Sequence, residues 1–181
     1  MTHLQNDGLK LISRREFIAG AGVSSVALLA GCAVNPVTNK KQFMLISEKS
    51  EIDMDKKWAP HQFSADYGSV RDAKLNNYIN EVGLNMAKFT HRPHMPYNFR
   101  VVNSVVVNGY TFPAGSVALT RGIMLEMQDE SQLAAVLGHE LGHVSYRHAG
   151  ERLSKSLASS LFVIGLGLYV GHEHEEYADL A

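Results

Sequence analysis

Residues His139-Glu140-Leu141-Gly142-His143 restrict the conformation of this chain more than any other stretch. Histidines four apart stand one above the other on successive turns of an α-helix. The pattern therefore has chemical meaning only in a helix. There, two neutral imidazoles hold one zinc ion, and the Glu between them reaches the water bound to the metal.

The flanking residues predict that helix. Asp129 and Gln132 have capping-box spacing, with Asp129 as N-cap and Gln132 at the third helical position. A helix-forming run follows from Glu130 to about His148. At roughly 100° per residue, His143 falls about 40° from His139 and Glu140 about 100° from it. Leu133, Leu137, Leu141 and Val144 gather on the far side, so an apolar stripe faces a core and the histidine face opens to a cleft. Gly138 and Gly142 occupy a third face. Each costs about 1 kcal/mol relative to Ala, which predicts a close neighbour there. The alternative is a surface helix with incidental histidines.

The N-terminal end reads as an address. Ser13-Arg14-Arg15-Glu16-Phe17-Ile18 resembles the twin-arginine export consensus, and an apolar stretch from Phe17 to Ala30 follows. Leu29-Ala30-Gly31-Cys32 looks like a bacterial lipobox with cleavage before Cys32. The stretch is too short and glycine-rich for a membrane span. Residues 1–31 are thus expected to be a lipoprotein signal peptide, and Cys32, the sole cysteine, the lipidated residue. Ala33, rather than Asp, follows it, which by analogy favours the outer membrane. Asn35-Pro36-Val37-Thr38-Asn39 is turn-rich, and residues 32–47 read as a tether.

The remainder, 48–181, suffices for one core and not for two ordinary domains. A formal net charge of −1 gives no electrostatic case for nucleic acid. A helix is expected from about Glu48 to Tyr67, interrupted near Pro60. A second is expected from about Val70 to Phe89, capped by Ser69 or Asp72, with Leu75, Tyr78, Ile79, Val82, Met86 and Phe89 at helical spacing. Tyr97 to Val107 is strand-like, Asn108-Gly109 signals a hairpin turn, and Tyr110 to Phe112 pairs back. Pro113-Ala114-Gly115 turns again before a short strand, Ser116 to Leu119, and a short helix, Arg121 to Met127. After the motif helix, Glu151 to Leu157 is helical, and the apolar Leu161 to Gly171 reads as a buried helix. The fold class is α+β, mainly helical, with a small antiparallel sheet next to the motif helix.

Three segments together carry a family resemblance: Asn108-Gly109-Tyr110-Thr111-Phe112-Pro113-Ala114-Gly115, Thr120-Arg121-Gly122, and the run from Glu130 to Val144. They resemble metallopeptidase family forty-eight, which includes the CAAX prenyl protease and the heat-shock protease HtpX. Cys32-Ala33-Val34-Asn35-Pro36-Val37-Thr38 and the later Ser47-Glu48 are similar to the mature start of its periplasmic lipoprotein members. The resemblance implies a zincin-like fold and one zinc ion per subunit. It implies His139 and His143 as ligands and Glu140 as catalytic base. It also implies substrate lying extended along a strand edge, here Tyr110 to Leu119, in β-augmentation. The family's third ligand is a Glu in an E-x-x-x-D pattern on a later helix. Glu175 and Asp179 have that spacing, but much closer to His139 than in the family. Either Glu175 is the ligand, or the true one lies beyond Ala181 and the sequence is an N-terminal portion of a longer protein.

The expected function is a zinc endopeptidase of the bacterial cell envelope, acting on unfolded or misassembled envelope proteins from the periplasmic face of the outer membrane. Alternatives are a non-proteolytic envelope chaperone or assembly lipoprotein, and an inactive truncated fragment. An intact Glu140 favours the enzyme, since a pure binder has no use for it. No Ser or Cys nucleophile arrangement competes. His148, about 180° from His139 on a continuous helix, is a poor co-ligand and reads as structural or supporting. His91 and His94 read as solvated, His172 and His174 as part of a flexible acidic segment, and Met124 and Met127 as core filler.

Overall fold

The computed structural model describes residues 32–178, with side chains as far as residue 163. The signal peptide expected over 1–31 lies outside the described residues. The elements in order are β1 (Cys32–Val34), β2 (Lys41–Phe43), α1 (Glu48–Ala65), α2 (Ala73–Ala87), β3 (Asn98–Val102), β4 (Gly109–Thr111), β5 (Ser116–Thr120), α3 (Arg121–Glu126), α4 (Glu130–Ser145) and α5 (His148–Ala178). Among the described residues no helix is long and apolar enough to cross a membrane.

Side-chain caps set the helix starts. Ser47, Asp72, Thr120 and Asp129 each accept a hydrogen bond from the backbone N–H three residues on. At the motif helix, Asp129 Oδ1 accepts from Gln132 N at 3.0 Å. The Gln132 side chain reaches back one residue further than a capping box requires, accepting from Gln128 N at 2.9 Å. Bonds from Ser131 and Gln132 hold the Asp129 carboxyl below its ordinary value.

Pro60 does not interrupt α1. The buried positions Glu51, Asp55, Ala59 and Phe63 recur every four residues, so one stripe docks on the core on both sides of the proline. Asp55 fixes that docking by accepting from Ala114 N at 2.8 Å, Ser116 N at 3.2 Å and Ser116 Oγ. Pro60 itself is exposed, and losing one backbone bond there is offset by these tertiary ones.

The sheet has the order β3-β5-β4. The antiparallel pairing is that of β4 with β5, not the expected one of β3 with β4, and it sets Tyr110 opposite Ala118. β3 lies on the other side of β5 and runs parallel to it, with Phe99 opposite Val117. Asn108-Gly109 is therefore not a hairpin turn, because β3 and β4 are not neighbours. The tight connection is Phe112 to Gly115, with Gly115 at φ 100°. The outer edge of β3 is closed by α2: Asn80 Oδ1 accepts from Phe99 N and Asn76 Oδ1 from Val101 N, each at 3.0 Å. Among the described residues, the outer edge of β4 has no neighbouring strand.

All four members of the motif-helix stripe are buried, Leu133, Leu137, Leu141 and Val144, and they pack on Ile79, Val101, Val117 and Leu119. On α2, Ile79 is buried, while Leu75, Val82 and Met86 are partly so. Tyr78 and Phe89 face solvent. Leu161, Phe162 and Val163 are exposed, so the beginning of the expected buried segment is not buried.

Residues 32–47 are more than a tether. β1 and β2 form a two-stranded sheet, and the segment is bonded to the end of α4 and the start of α5. Asn35 Nδ2 donates to Tyr146 O at 3.1 Å, Gln42 Nε2 to Glu151 Oε2 at 2.7 Å, and Leu45 N to Ser154 Oγ at 2.8 Å.

Candidate metal centre

The motif helix is shorter than its sequence suggests. α4 ends at Ser145, and Arg147 adopts φ 59°, a left-handed conformation that L-residues other than Gly rarely take. The chain then restarts as α5 at His148. Long-range contacts hold this break. Arg147 Nε donates to both oxygens of Glu51 at 3.1 Å, and its Nη2 donates to Ile46 O at 3.0 Å. Arg92 completes the cluster: its Nη2 donates to Glu51 Oε2 at 2.7 Å and to Glu48 Oε2 at 3.1 Å, and its Nη1 caps Val144 O at 3.0 Å. Glu51 is wholly buried, and its side chain pairs with two guanidinium groups.

On the exposed face of α4, His139 and His143 come together. Their Nε2 atoms are 3.1 Å apart and their rings are nearly perpendicular, at 86°. Two ligands of one tetrahedral zinc, each about 2.0–2.1 Å from it, would lie roughly 3.3 Å apart. The observed approach fits that requirement. Burial, then the neighbouring His139, His148 and Arg152, push the His143 pKa down and favour the neutral ring that a metal needs. Glu140, 6% exposed, points to the sheet side of the same helix. A Cβ on Gly109 of β4 would lie 3.5 Å from Glu140 Oε1, an ordinary contact distance, so β4 and this carboxylate are neighbours. Burial raises the Glu140 pKa, and the nearby His139 opposes the rise. A cleft of about 260 Å³ joins these parts, lined by β4 and the following turn on one side and by His139, Glu140, His143 and Arg152 on the other.

His148 is where the continuous-helix picture goes astray. The break at Arg147 turns its imidazole back onto His143, with Nδ1 atoms 2.7 Å apart and ring centroids at 4.9 Å. His94 is exposed and reaches Glu48 Oε1 at 3.0 Å. Cys32 is exposed and free. Gly142 has open space where a Cβ would go, and Gly138 only an ordinary contact with Met86, so no close neighbour explains either glycine. The glycines that a close approach requires are elsewhere: a Cβ on Gly122 would clash with Val105 O, and one on Gly83 with the Phe99 ring. Of the substrate edge expected over Tyr110 to Leu119, only the β4 part is an edge, since β5 is the central strand.

Two histidines fit a zinc ion, but among the described residues no group of three or more His, Cys, Asp or Glu side chains is placed to hold one. The Glu175 and Asp179 side chains lie outside the described residues.

Residues 73–181, more than half of the chain, match the model of peptidase family M48. The chain belongs to that family. It is 30% identical over 91 residues to the Beta-barrel assembly-enhancing protease of Escherichia coli (strain K12), covering 50% of this chain and 19% of that protein. It is 30% identical over 84 residues to the Mitochondrial metalloendopeptidase OMA1 of Arabidopsis thaliana, covering 46% of this chain and 17% of that one. With the OMA1 of Schizosaccharomyces pombe it shares 26% identity over 152 residues, 81% of this chain and 43% of the relative. The chain thus spans about a fifth of the bacterial M48 relative and under half of the yeast one.

Proposed function

We propose that this chain is the catalytic portion of a zinc-dependent endopeptidase of the bacterial cell envelope, active in protein quality control. One observation carries the reading: two imidazole Nε2 atoms converge to 3.1 Å in a cleft that also holds a buried carboxylate and an open strand edge. His139 and His143 are the ligands. Zinc bound there would lower the pKa of a coordinated water toward neutrality and polarise a peptide carbonyl. Glu140 accepts the proton of the attacking water and delivers it to the leaving amine, a task its place in the cleft beside both histidines allows. β4 takes the substrate backbone as an added strand, which gives affinity with little sequence preference. This suits unfolded or misassembled envelope proteins as substrates.

The third ligand is a carboxylate outside this site. At about 1.5 Å rise per residue, position 175 stands on the order of 40 Å along α5 from His148. That separation, like the sequence spacing, favours a later Glu over Glu175. Export by the twin-arginine route and a lipid on Cys32 would place the domain at the periplasmic face of the outer membrane. A Cys32→Ser variant should then leave the membrane fraction.

The test of the reading is zinc content with casein cleavage by the protein as it occurs in the cell. One zinc per chain and cleavage abolished by a chelator are expected. Cleavage that survives complete removal of the metal would refute the proposal.

A further inference from the structure

We propose that His148 is a positioning residue for the metal site, fixing the tautomer and the tilt of the His143 ring. Two unprotonated Nδ1 atoms at 2.7 Å would repel, and so would two N–H groups, so one nitrogen donates and the other accepts. His143 has to keep the lone pair of Nε2 to serve as a ligand. Its proton is therefore on Nδ1, and His148 Nδ1 is the acceptor, with the His148 proton on Nε2. Metal-binding histidines generally need such a partner on the second ring nitrogen, which sets ring orientation and basicity.

The position of His148 is built, not incidental. The left-handed Arg147 directly before it makes the turn, and Glu51, buried and shared with Arg92, holds that arginine. Tyr146 stacks on the His148 ring, with planes 26° apart and centroids at 5.3 Å. The ring thus contacts both Tyr146 and His143. A residue that only filled space would not need its Nδ1 turned toward the Nδ1 of its neighbour.

The test uses the full chain with His148→Ala and His148→Gln. Nitrogen-15 NMR of the imidazoles in metal-free protein reads the tautomer, and competition with a chromophoric chelator reads the affinity for zinc alone. In the wild type, His143 should show a protonated Nδ1 and a bare Nε2. His148→Ala should mix the tautomers and weaken zinc binding about 10- to 100-fold at unchanged helicity. His148→Gln, whose amide oxygen is able to accept the same proton, should recover much of both. An unchanged His143 tautomer in His148→Ala, or unchanged zinc affinity there, overturns the proposal. The zinc arm and the direction of the hydrogen bond rest on the metal-site reading above, whereas the loss of a fixed His143 tautomer in His148→Ala does not. Wild-type protein that takes up no zinc yet shows the Nδ1–H tautomer refutes that reading while supporting the His143–His148 hydrogen bond. Should the Ala variant unfold, the Gln variant carries both measurements.

Discussion

Glu51→Ala is expected to be the most damaging single substitution outside the core. The Glu51 carboxylate is fully buried and takes hydrogen bonds from Arg92 at 2.7 Å and from Arg147 at 3.1 Å. Both arginine side chains are themselves little exposed, 2% and 11%. Removing the carboxylate leaves Arg92 with the half-exposed Glu48 and Val144 O, and Arg147 with Ile46 O alone. Breaking a buried pair from one side costs about 3–5 kcal/mol, because the remaining charge stays buried without compensation. That is a large share of the 5–15 kcal/mol that typically holds a domain together. Glu48→Ala removes a carboxylate from the same Arg92 guanidinium at 3.1 Å, but Glu48 is 44% exposed, and such pairs contribute about 0–1 kcal/mol. The two variants should therefore differ by at least about 2 kcal/mol. Urea unfolding followed by circular dichroism measures this. With a slope of about 2 kcal/mol/M, Glu51→Ala should move the midpoint by roughly 1.5–2.5 M, and Glu48→Ala by less than about 0.5 M. Equal shifts would show that burial does not decide the worth of these pairs, and the reasoning would fail. The experiment measures the cost of breaking the cluster; an apolar replacement of all its members is a different comparison.

Glu140→Gln should keep zinc at wild-type stoichiometry and lose at least about 100-fold in casein cleavage; cleavage at the wild-type rate removes Glu140 from the role of base. Gly142→Ala and Gly150→Ala offer the same gain in helix propensity and should differ in sign. A Cβ at 142 meets nothing within 4 Å and should raise stability by about 0.5–1 kcal/mol, whereas one at 150 would come 2.6 Å from Glu51 Oε1 and should cost about 1–3 kcal/mol. Paired thermal melts decide this, and a stabilising Gly150→Ala would show that the Glu51 site is slack. Tyr110 donates to Asp66 at 2.5 Å, and burial, with that carboxylate, raises its pKa. The folded state thus holds this proton more tightly than the unfolded chain. The resulting stability is present below about pH 10 and lost as pH rises further. Tyr110→Phe should flatten the alkaline limb of the stability profile, and an unchanged limb would exclude Tyr110 as its source.

Where the governing interaction is local, the sequence shows it. Leu133, Leu137, Leu141 and Val144 follow the 3.6-residue period because one face of one helix meets one core, and the period carries that information. Asp129 caps through a bond three residues long. His139 and His143 converge because four residues make one turn. Strand order was not legible in the same way. β5 is buried at every position and β4 is partly buried throughout, so no alternation marks a face there, and nothing local says that β5 separates the other two, since neighbour choice depends on contacts far apart in the chain. Pro60 shows the reverse case, a correct local rule overridden by Asp55 and its tertiary bonds to Ala114 and Ser116. The turn at Asn35 was legible, since its Oδ1 accepts from Val37 N and Thr38 N. Its docking on Tyr146 was not.

Arg147 shows why the end of the motif helix could not be read. The usual signal for a left-handed helix terminus is Gly or Asn, and neither stands there. A glycine would avoid a conformational cost of about 1–2 kcal/mol. It would also leave the fully buried Glu51 with one guanidinium instead of two. Arg147 gives that carboxylate two hydrogen bonds, each to a charged group and worth about 1.5–3 kcal/mol, so the strained arginine is the cheaper solution. The strain and the ion pair are thus one device, and their product is a direction: the chain turns at 147 so that residue 148 faces back toward residue 143. A carboxylate on α1 thereby helps set the orientation of an imidazole on α4 with which it has no hydrogen bond. That coupling runs through a single residue of unusual conformation, which is why no period, cap or motif in the sequence announces it.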